Sequence, residues 1–234
     1  MSEIVANIGT RKKVTFWNYF WSILWFIALI LLILKFAVFQ QVTVVGKSMS
    51  PNYENGQLLL VNQLSKSLQR GQVAAVYEDE KIAKNADYFT RFSARFFLKR
   101  IVGLPNEQIE IIGSKVIIYD AKNPEGQVLV ENYIPNGTIQ TEEDRDFYMP
   151  KTKIPDKHYF LMGDNRSNSR DSRELGTFID FSIFGQETVR FWPANETTVF
   201  FLPEYKFQPV SQEIKDKKTR LEKLVPNNQI NFTI

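Results

Sequence analysis

Near the N-terminus the chain carries one long apolar run whose pattern differs from that of the rest of the sequence. No charged residue occurs within residues 14–34, and several aromatic residues precede a Leu/Ile-rich stretch. As a helix, these roughly 21 residues would span about 31 Å, close to the thickness of the bilayer hydrocarbon. Aromatic residues at one end are typical of a membrane interface. The pattern predicts a transmembrane helix over residues 14–39, and a helix buried in a soluble core is the alternative.

A cleavable signal peptide is a second alternative, because Arg11, Lys12 and Lys13 precede the apolar run. The run is longer than a signal-peptide core, and residues 35–41 contain no small-x-small cleavage site. We therefore expect the helix to remain attached as an anchor in the lipid bilayer. The basic cluster outweighs Lys35 on the other side of the run. The positive-inside rule then predicts a single-pass protein with residues 1–13 cytoplasmic and the remainder extracytoplasmic.

Downstream of residue 40, short runs rich in apolar and β-branched residues alternate with Pro, Gly and Asn-Gly turn signals, which indicates strands. The predicted strands are residues 42–45, 58–61, 73–77, 96–102, 108–112, 115–119, 128–130, 159–162, 188–192 and 199–202. Their spacing favours a mainly β domain, either an antiparallel barrel or a folded sheet, over alternating β-α units. A helix is possible around residues 88–95. Residues 210–234 are mostly polar, and their Lys/Glu-rich part, 212–224, predicts a solvated surface helix or tail, with partner binding as the alternative.

The composition of the chain excludes several classes of function. The 234 residues carry a formal net charge of +3, and the basic residues are spread along the chain, which gives no case for a nucleic-acid partner. Cysteine is absent, which excludes disulfides, thiol catalysis and Cys-rich metal sites. His158 is the only histidine, so the chain has almost none of the residues that a Ser-His-Asp triad or a His-rich metal site needs. The remaining pairing of nucleophile and base is a serine with a lysine.

A lysine can act as a general base only when it is neutral, so burial in apolar surroundings must lower its pKa from about 10.4. Lys99 lies in such surroundings, within residues 96–105. If this run is a strand, Phe97, Lys99 and Ile101 share one face, and Lys99 points into apolar packing. The alternative is a lysine whose stem packs while its amine reaches water.

The candidate nucleophile is Ser48, which follows an apolar run and a glycine and precedes a proline turn. A nucleophile needs an exposed oxygen on backbone that a substrate can approach closely, and Gly46 permits that approach. Lys47 adjoins Ser48 and is the other candidate base. Neighbouring side chains in an extended chain point to opposite faces, so we prefer Lys99.

Three stretches together resemble the type I signal peptidases of bacteria, in particular the shorter Gram-positive members. The stretches are Gly46-Lys47-Ser48-Met49-Ser50-Pro51, similar to the nucleophile box; Lys99-Arg100-Ile101-Val102-Gly103-Leu104-Pro105, similar to the lysine box; and Gly163-Asp164-Asn165-Arg166-Ser167-Asn168-Ser169-Arg170-Asp171-Ser172-Arg173, similar to the third signature. Their order and the preceding anchor also match. The likeness runs from the anchor to about Pro203.

The resemblance implies a plasma-membrane serine endopeptidase that removes signal peptides from exported preproteins, cutting after small residues, with residues 40–209 as the protease domain. It implies that Ser48 attacks the scissile carbonyl. Lys99 would take the serine proton and later help to activate water, while Ser169 would hydrogen-bond the lysine amine and orient it. It implies neither cofactor nor metal, and it leaves the oligomeric state open.

The resemblance also implies contacts that support this chemistry. The expected ion pairs are Asp171 with Arg173 and Arg100 with Asp164. At position 46 many family members carry a hydroxyl, so here the oxyanion hole would rest on the backbone of Gly46 and Ser48. Gln72 and the pair Asn106-Glu107 are further departures, and they put local loop contacts in doubt rather than the chemistry.

About ten residues separate the predicted anchor from Ser48, so an extended chain would keep the active site close to the outer membrane surface. We expect Val44, Val45 and Met49 to help form shallow pockets for small substrate side chains, with the substrate lying as an added strand.

A β-lactamase-type enzyme is excluded as a rival, because no serine has a lysine three residues on. A self-cleaving repressor would carry a DNA-binding domain in place of the anchor. A membrane-tethered β domain that only binds ligands is the non-enzymatic rival.

Overall fold

The structure is a computed structural model that describes residues 16–64, 68–78, 80–85, 87, 90, 94–134, 146–199, 202–203 and 205–224. The chain divides into an N-terminal unit that ends at Phe39 and a second unit that begins at Gln40. The second unit contains a strand at each predicted run, with differences in bounds. The first strand, predicted at residues 42–45, lies at Phe39–Thr43, and the run predicted at 199–202 is described as a strand only at Val199. The predicted helix over residues 88–95 lies largely outside the described residues.

The N-terminal unit contains helix α1 (Phe16–Val38), 23 residues long. Residues 16–33 have a mean hydropathy of 2.0 and none of them is buried. The helix is therefore long and apolar enough to cross a membrane, as the sequence predicts. Its exposed apolar surface does not fit the alternative of a helix buried in the core of a soluble domain.

The strands form two antiparallel sheets. The strands are β1 (Phe39–Thr43), β2 (Leu58–Asn62), β3 (Val73–Tyr77), β4 (Phe96–Gly103), β5 (Gln108–Ile112), β6 (Lys115–Tyr119), β7 (Gln127–Val130), β8 (Tyr148–Lys153), β9 (His158–Met162), β10 (Phe178–Ile179), β11 (Ile183–Trp192), β12 (Thr198–Val199) and β13 (Lys206–Pro209). The first sheet has the order β1-β2-β11-β3-β4-β9-β10, with β12 beside β11, and the second has the order β13-β7-β6-β5-β8. The mainly β prediction is confirmed in its folded-sheet form, since within the described residues neither sheet closes into a barrel.

The helices of the second unit are short apart from the last. They are α2 (Glu80–Asn85), α3 (Ser172–Leu175) and α4 (Gln212–Leu224), with 3-10 turns at Arg166–Asn168, Asp180–Ser182 and Ala194–Glu196. The segment predicted as a surface helix or tail is thus a helix, and it is docked rather than free. Leu221 of α4 is 1% exposed in an apolar cluster with Ile112, Ile117 and Val128. Lys218 of the same helix lies 2.7 Å from the buried Glu110.

Strand β4 lies inside its sheet, between β3 and β9, and it is buried because its side chains pack into apolar clusters. Strand β3 pairs with it so that Ala74 lies opposite Lys99, and β9 pairs with it so that Met162 lies opposite Arg100. From Leu98 to Gly103 every residue of β4 is buried. A lysine placed here must leave water when the chain folds.

A second apolar cluster lies beneath the turn that joins β1 to β2. It consists of Val44, Met49, Tyr53, Leu59, Val73 and Leu98. Burial of a Met or Leu side chain stabilises a fold by about 1.5–3 kcal/mol. The buried Met49 therefore fixes the turn that carries Ser48 to the sheet that carries Lys99.

Candidate active site

Lys99 and Ser48 meet at the junction of this turn with β4. The Lys99 side chain is 3% exposed, and its Nζ lies 2.8 Å from Ser48 Oγ. The amine also donates a hydrogen bond of 3.0 Å to the Leu98 carbonyl. Its Nζ lies 5.4 Å from the centre of the Phe97 ring, which covers one side of it. Of the two interpretations of Lys99, the structure therefore fits the buried amine rather than the amine that reaches water.

Burial lowers the pKa of Lys99 to about 8, because the charged form loses its hydration inside the protein. The negative charges of Asp171 and Asp164 act in the opposite direction, and the positive charge of Arg173 adds to the lowering. With this pKa, about a tenth of the amine is neutral at pH 7, whereas an ordinary lysine is neutral at well below a thousandth. The site thus supplies a proton acceptor next to the serine hydroxyl.

The turn that presents Ser48 is held by its own backbone. The Ser50 N–H donates to the Lys47 carbonyl at 3.1 Å, and the Tyr53 N–H donates to the Met49 carbonyl at 3.0 Å. The Lys47 side chain is exposed, as expected for a residue that points away from the dyad. Ser48 is half-buried, so its hydroxyl can be reached from one side.

The two expected oxyanion donors, the backbone N–H groups of Gly46 and Ser48, differ in whether they are already hydrogen-bonded. Gly46 has a φ of +87°, which favours glycine, and its N–H donates a 2.9 Å hydrogen bond to Asn55 Oδ1. That donor is therefore occupied, so the expectation that the Gly46 backbone forms part of the oxyanion hole does not fit this structure. The Ser48 N–H makes no hydrogen bond within the described part of the chain. It is the free donor of the two.

Ser169 stands close to the turn that carries Ser48. Its Oγ is buried and lies near the Asp171 carboxyl, whose pKa it helps to lower, whereas Lys99 Nζ bonds to Ser48 and Leu98. A Cβ placed on Gly163 would come within 2.2 Å of Ser169 Oγ and 2.4 Å of the Ser48 carbonyl. Gly163 thus allows the Ser169 hydroxyl and the nucleophile turn to pack together. No hydrogen bond joins Ser169 to Lys99 among the described contacts, and the role of Ser169 in orienting the amine stays a prediction.

Both expected ion pairs are present. Arg100 Nη2 lies 2.5 Å from Asp164 Oδ2, and its Nε donates to Asp164 Oδ1 at 2.8 Å, so the contact is bidentate. Arg173 Nε lies 2.9 Å from Asp171 Oδ1. Burial alone would raise the pKa of Asp171, but the hydrogen bonds and charge of Arg173 outweigh it and keep the pKa below its usual value. The Arg100–Asp164 pair fixes the segment after β9 to β4, and the Arg173–Asp171 pair joins two residues within that segment.

The expected substrate-binding residues divide into buried and exposed. Val44 is 3% and Met49 1% exposed, so both belong to the core beneath the turn. The Val44 backbone is also engaged, since its N–H donates to the Gln57 carbonyl and its carbonyl accepts from Gly56. Val45 is 81% exposed, and of the three it is the residue that a substrate can touch directly.

Sequence reasoning missed a buried polar group behind the turn. Tyr53 donates a hydrogen bond to Glu187 of β11, and burial raises the pKa of that carboxyl to about 7. Both residues line a polar cavity of about 220 Å³ together with Asn52, Arg100 and Arg190. Glu187 lies just before the run predicted as a strand, residues 188–192, and its hydrogen bond comes from Tyr53, 134 positions away. No local pattern signals such a contact.

The departures from the family pattern have contacts of their own. Glu107 forms a 2.5 Å ion pair with Arg70 and accepts a hydrogen bond from the Leu104 N–H. Gln72 accepts from the Gln69 N–H at 2.8 Å. These residues close the loops at the ends of β3 and β4 and lie apart from the Ser48 turn.

The antiparallel sheets and the contact between a serine hydroxyl and a buried amine fit a serine peptidase. The family model described as "Signal peptidase, peptidase S26" matches residues 17–192, and the chain belongs to this family. It is 30% identical over 199 residues to signal peptidase I S of Bacillus subtilis, covering 81% of this chain and 95% of that protein. It is 31% identical over 153 residues to signal peptidase I of Leptolyngbya laminosa, covering 64% and 67%.

A solved structure of a signal peptidase I from Enterococcus faecalis V583 is 24% identical, with a TM-score of 0.38. The match covers 51% of this chain and 96% of that one.

Proposed function

We propose that the chain removes signal peptides from exported preproteins, with Ser48 as nucleophile and Lys99 as general base. Membership of the signal peptidase family supports the reaction. The 2.8 Å contact between Lys99 Nζ and Ser48 Oγ, with the amine buried, is the observation that carries the assignment of residues.

The reaction would begin when the neutral Lys99 amine accepts the Ser48 proton and Oγ attacks the scissile carbonyl. The carbonyl oxygen gains negative charge, and the free Ser48 N–H can donate to it. The tetrahedral intermediate collapses as the Lys99 ammonium gives its proton to the leaving amine, which leaves an acyl ester on Ser48. Water, deprotonated by the same amine, then attacks the ester carbon. The bond between that carbon and Ser48 Oγ breaks, Oγ takes the proton back from Lys99, and the acid is released.

We propose that the signal peptide lies as an added strand beside residues 44–46, with Val45 in contact with it. Val44 and Met49 would act beneath the surface by shaping the floor of the site. A shallow floor admits only small side chains at the first and third positions before the cut. Replacing an alanine at the first position with a bulky residue should abolish cleavage, and an unchanged rate would refute this part of the proposal.

We propose the membrane arrangement that the charge pattern predicts. Residues 1–13 would be cytoplasmic, residues 14–39 would form the anchor in the plasma membrane, and residues 40–209 would form the extracytoplasmic protease domain. Residues 210–234 would follow as a C-terminal extension that includes α4. The basic cluster before α1 and the length of α1 support this arrangement.

The direct test replaces Ser48→Ala and Lys99→Ala separately in the full chain in detergent micelles. Cleavage of a preprotein is expected to be lost in both variants, while their folding, followed by circular dichroism, stays intact. Lys47→Ala is the matched control, because it removes the amine of the neighbouring lysine, whose side chain is exposed. Substantial cleavage by the Lys99→Ala variant would contradict the assignment of the base.

A further inference from the structure

Asn165 makes two hydrogen bonds to the turn that carries Ser48. Its backbone N–H donates to the Ser48 carbonyl at 3.0 Å, and its side-chain Nδ2 donates to the Lys47 carbonyl at 3.1 Å. Two consecutive carbonyls of the nucleophile turn are thus held by one residue that lies 118 positions from Lys47. Asn165 touches neither Lys99 nor Ser48 Oγ among its described hydrogen bonds.

The bond to Lys47 bears on the oxyanion donor through peptide geometry. The Lys47 carbonyl and the Ser48 N–H belong to the same planar peptide group and point in opposite directions. Holding the carbonyl oxygen therefore fixes the direction of the N–H. Because the Gly46 N–H is engaged with Asn55, the direction of the Ser48 N–H decides how well this turn stabilises an oxyanion.

The Asn165 side chain is hydrogen-bonded to the turn that carries Ser48 and not to the 3-10 turn that Asn165 itself begins. Asn165 occupies the N-cap position of the 3-10 turn Arg166–Asn168, yet it makes no side-chain cap hydrogen bond there. Asparagine at an N-cap ordinarily accepts from the first backbone N–H groups of the helix. Here the side chain makes no such bond, and its Nδ2 donates to the Lys47 carbonyl.

The residues on either side of Asn165 hold its backbone in place. Asp164, the preceding residue, is held by Arg100 and also accepts a 2.8 Å hydrogen bond from Asn52. On the other side, the Asn168 N–H donates to the Asn165 carbonyl at 3.1 Å. The segment after β9 is thus fixed to β4 by an ion pair and to the nucleophile turn by Asn165.

We propose that Asn165 is a positioning residue, which orients the Lys47–Ser48 peptide so that the Ser48 N–H faces the substrate's carbonyl oxygen. This inference rests on the proposed role of Ser48 as nucleophile. The side-chain amide acts on the turn, and the charge that develops in the reaction is met by the Ser48 N–H.

The experiment compares Asn165→Ala and Asn165→Asp with Asn168→Ala, in the full chain in detergent micelles with a preprotein substrate. Asn168 is the matched control, since it is an exposed asparagine in the same 3-10 turn. Asn165→Asp keeps the shape of the side chain but replaces the donor by a carboxylate, which cannot donate to a carbonyl. Both Asn165 variants keep the backbone bond to the Ser48 carbonyl.

Both Asn165 variants should lose about 10- to 100-fold in kcat, since loss of a whole oxyanion donor costs about 10²- to 10³-fold. Their KM should stay within about twofold of the wild type, because the change acts on the transition state. The pH at which kcat is half-maximal should stay near that of the wild type in Asn165→Ala, which adds no charge. In Asn165→Asp it should rise, because a new carboxylate raises the pKa of Lys99 as Asp164 and Asp171 do. Asn168→Ala should match the wild type in all three measurements.

Wild-type kcat in either Asn165 variant would overturn the proposal. So would a kcat loss in Asn165→Ala that comes with a shifted pH midpoint and a lowered Tm, since that pattern reports general loosening of the site. Ser48→Ala, measured alongside, separates this result from the proposed function. An inactive Ser48→Ala with fully active Asn165 variants refutes the positioning role alone, and an active Ser48→Ala refutes the assignment of the nucleophile.

Discussion

Replacing Lys99 by methionine should change the stability of the protein in a pH-dependent way. The side chains are similar in length, but methionine cannot ionise. The lowering of the Lys99 pKa from 10.5 to about 8 corresponds to roughly 3 kcal/mol of unfavourable free energy when the buried amine is charged.

The stability difference changes with pH because Lys99 binds its proton less tightly in the folded state than in the unfolded state. Below pH 8 the amine is protonated in both the folded and the unfolded state, so the wild type bears the full cost of the buried charge. Between pH 8 and 10.5 the folded state loses its proton first, and the cost disappears as the pH rises. The free energy of unfolding of Lys99→Met minus that of the wild type should therefore fall by about 3 kcal/mol across this interval. The lost hydrogen bonds to Ser48 and Leu98 reduce this difference by a constant amount.

The assay is urea unfolding of both proteins in the same detergent at several pH values from 6 to 10.5. Lys115→Met, at an exposed position at the start of β6, is the control, because its amine is hydrated before and after unfolding. Its difference from the wild type should not depend on pH. A flat difference for Lys99→Met as well would refute the reasoning that burial neutralises the amine.

Three further predictions concern pH and buried charge. The kcat/KM of the wild type should rise with pH and level off above about 8, as Lys99 loses its proton; a rate that does not change between pH 6 and 9 would contradict this. Arg100→Met should lower the free energy of unfolding by about 3–5 kcal/mol, because it leaves the buried Asp164 unpaired, and the double variant with Asp164→Leu should recover much of the loss in a urea titration. The raised pKa of Glu187 should give stability that is present below pH 4.5 and lost as the pH rises through about 7, and Glu187→Gln should lack this dependence in thermal unfolding.

The sequence predicts the sheets well where burial and periodicity agree. Strands β3, β5 and β6 have the predicted bounds, because each is a short apolar run between turn residues. Strand β8 was missed, since its sequence Tyr-Met-Pro-Lys-Thr-Lys is polar and contains a proline. Strand β13 was missed for a similar reason, as it pairs with β7 through residues that are exposed. In both cases the neighbouring strand, rather than local apolar content, determines the strand.

The pairing of Ser48 with Lys99 could be predicted because its chemistry restricts the choice. A neutral lysine requires an apolar segment, and few lysines in the chain lie in one. The finer geometry could not be predicted, because it depends on contacts between distant segments. Whether the Gly46 N–H is free depends on where Asn55 returns in the next turn, and the position of Asn165 depends on how the segment after β9 crosses the first sheet.

The charge state of Lys99 can be measured directly by NMR. The protein would be labelled with ¹³C in its lysine side chains, and the Cε resonance of Lys99 would be assigned by its loss in Lys99→Met. A titration midpoint near pH 8 is the predicted result. A midpoint near 10.5, as for a hydrated lysine, would contradict the account, because the amine beside Ser48 would then be cationic throughout the physiological range.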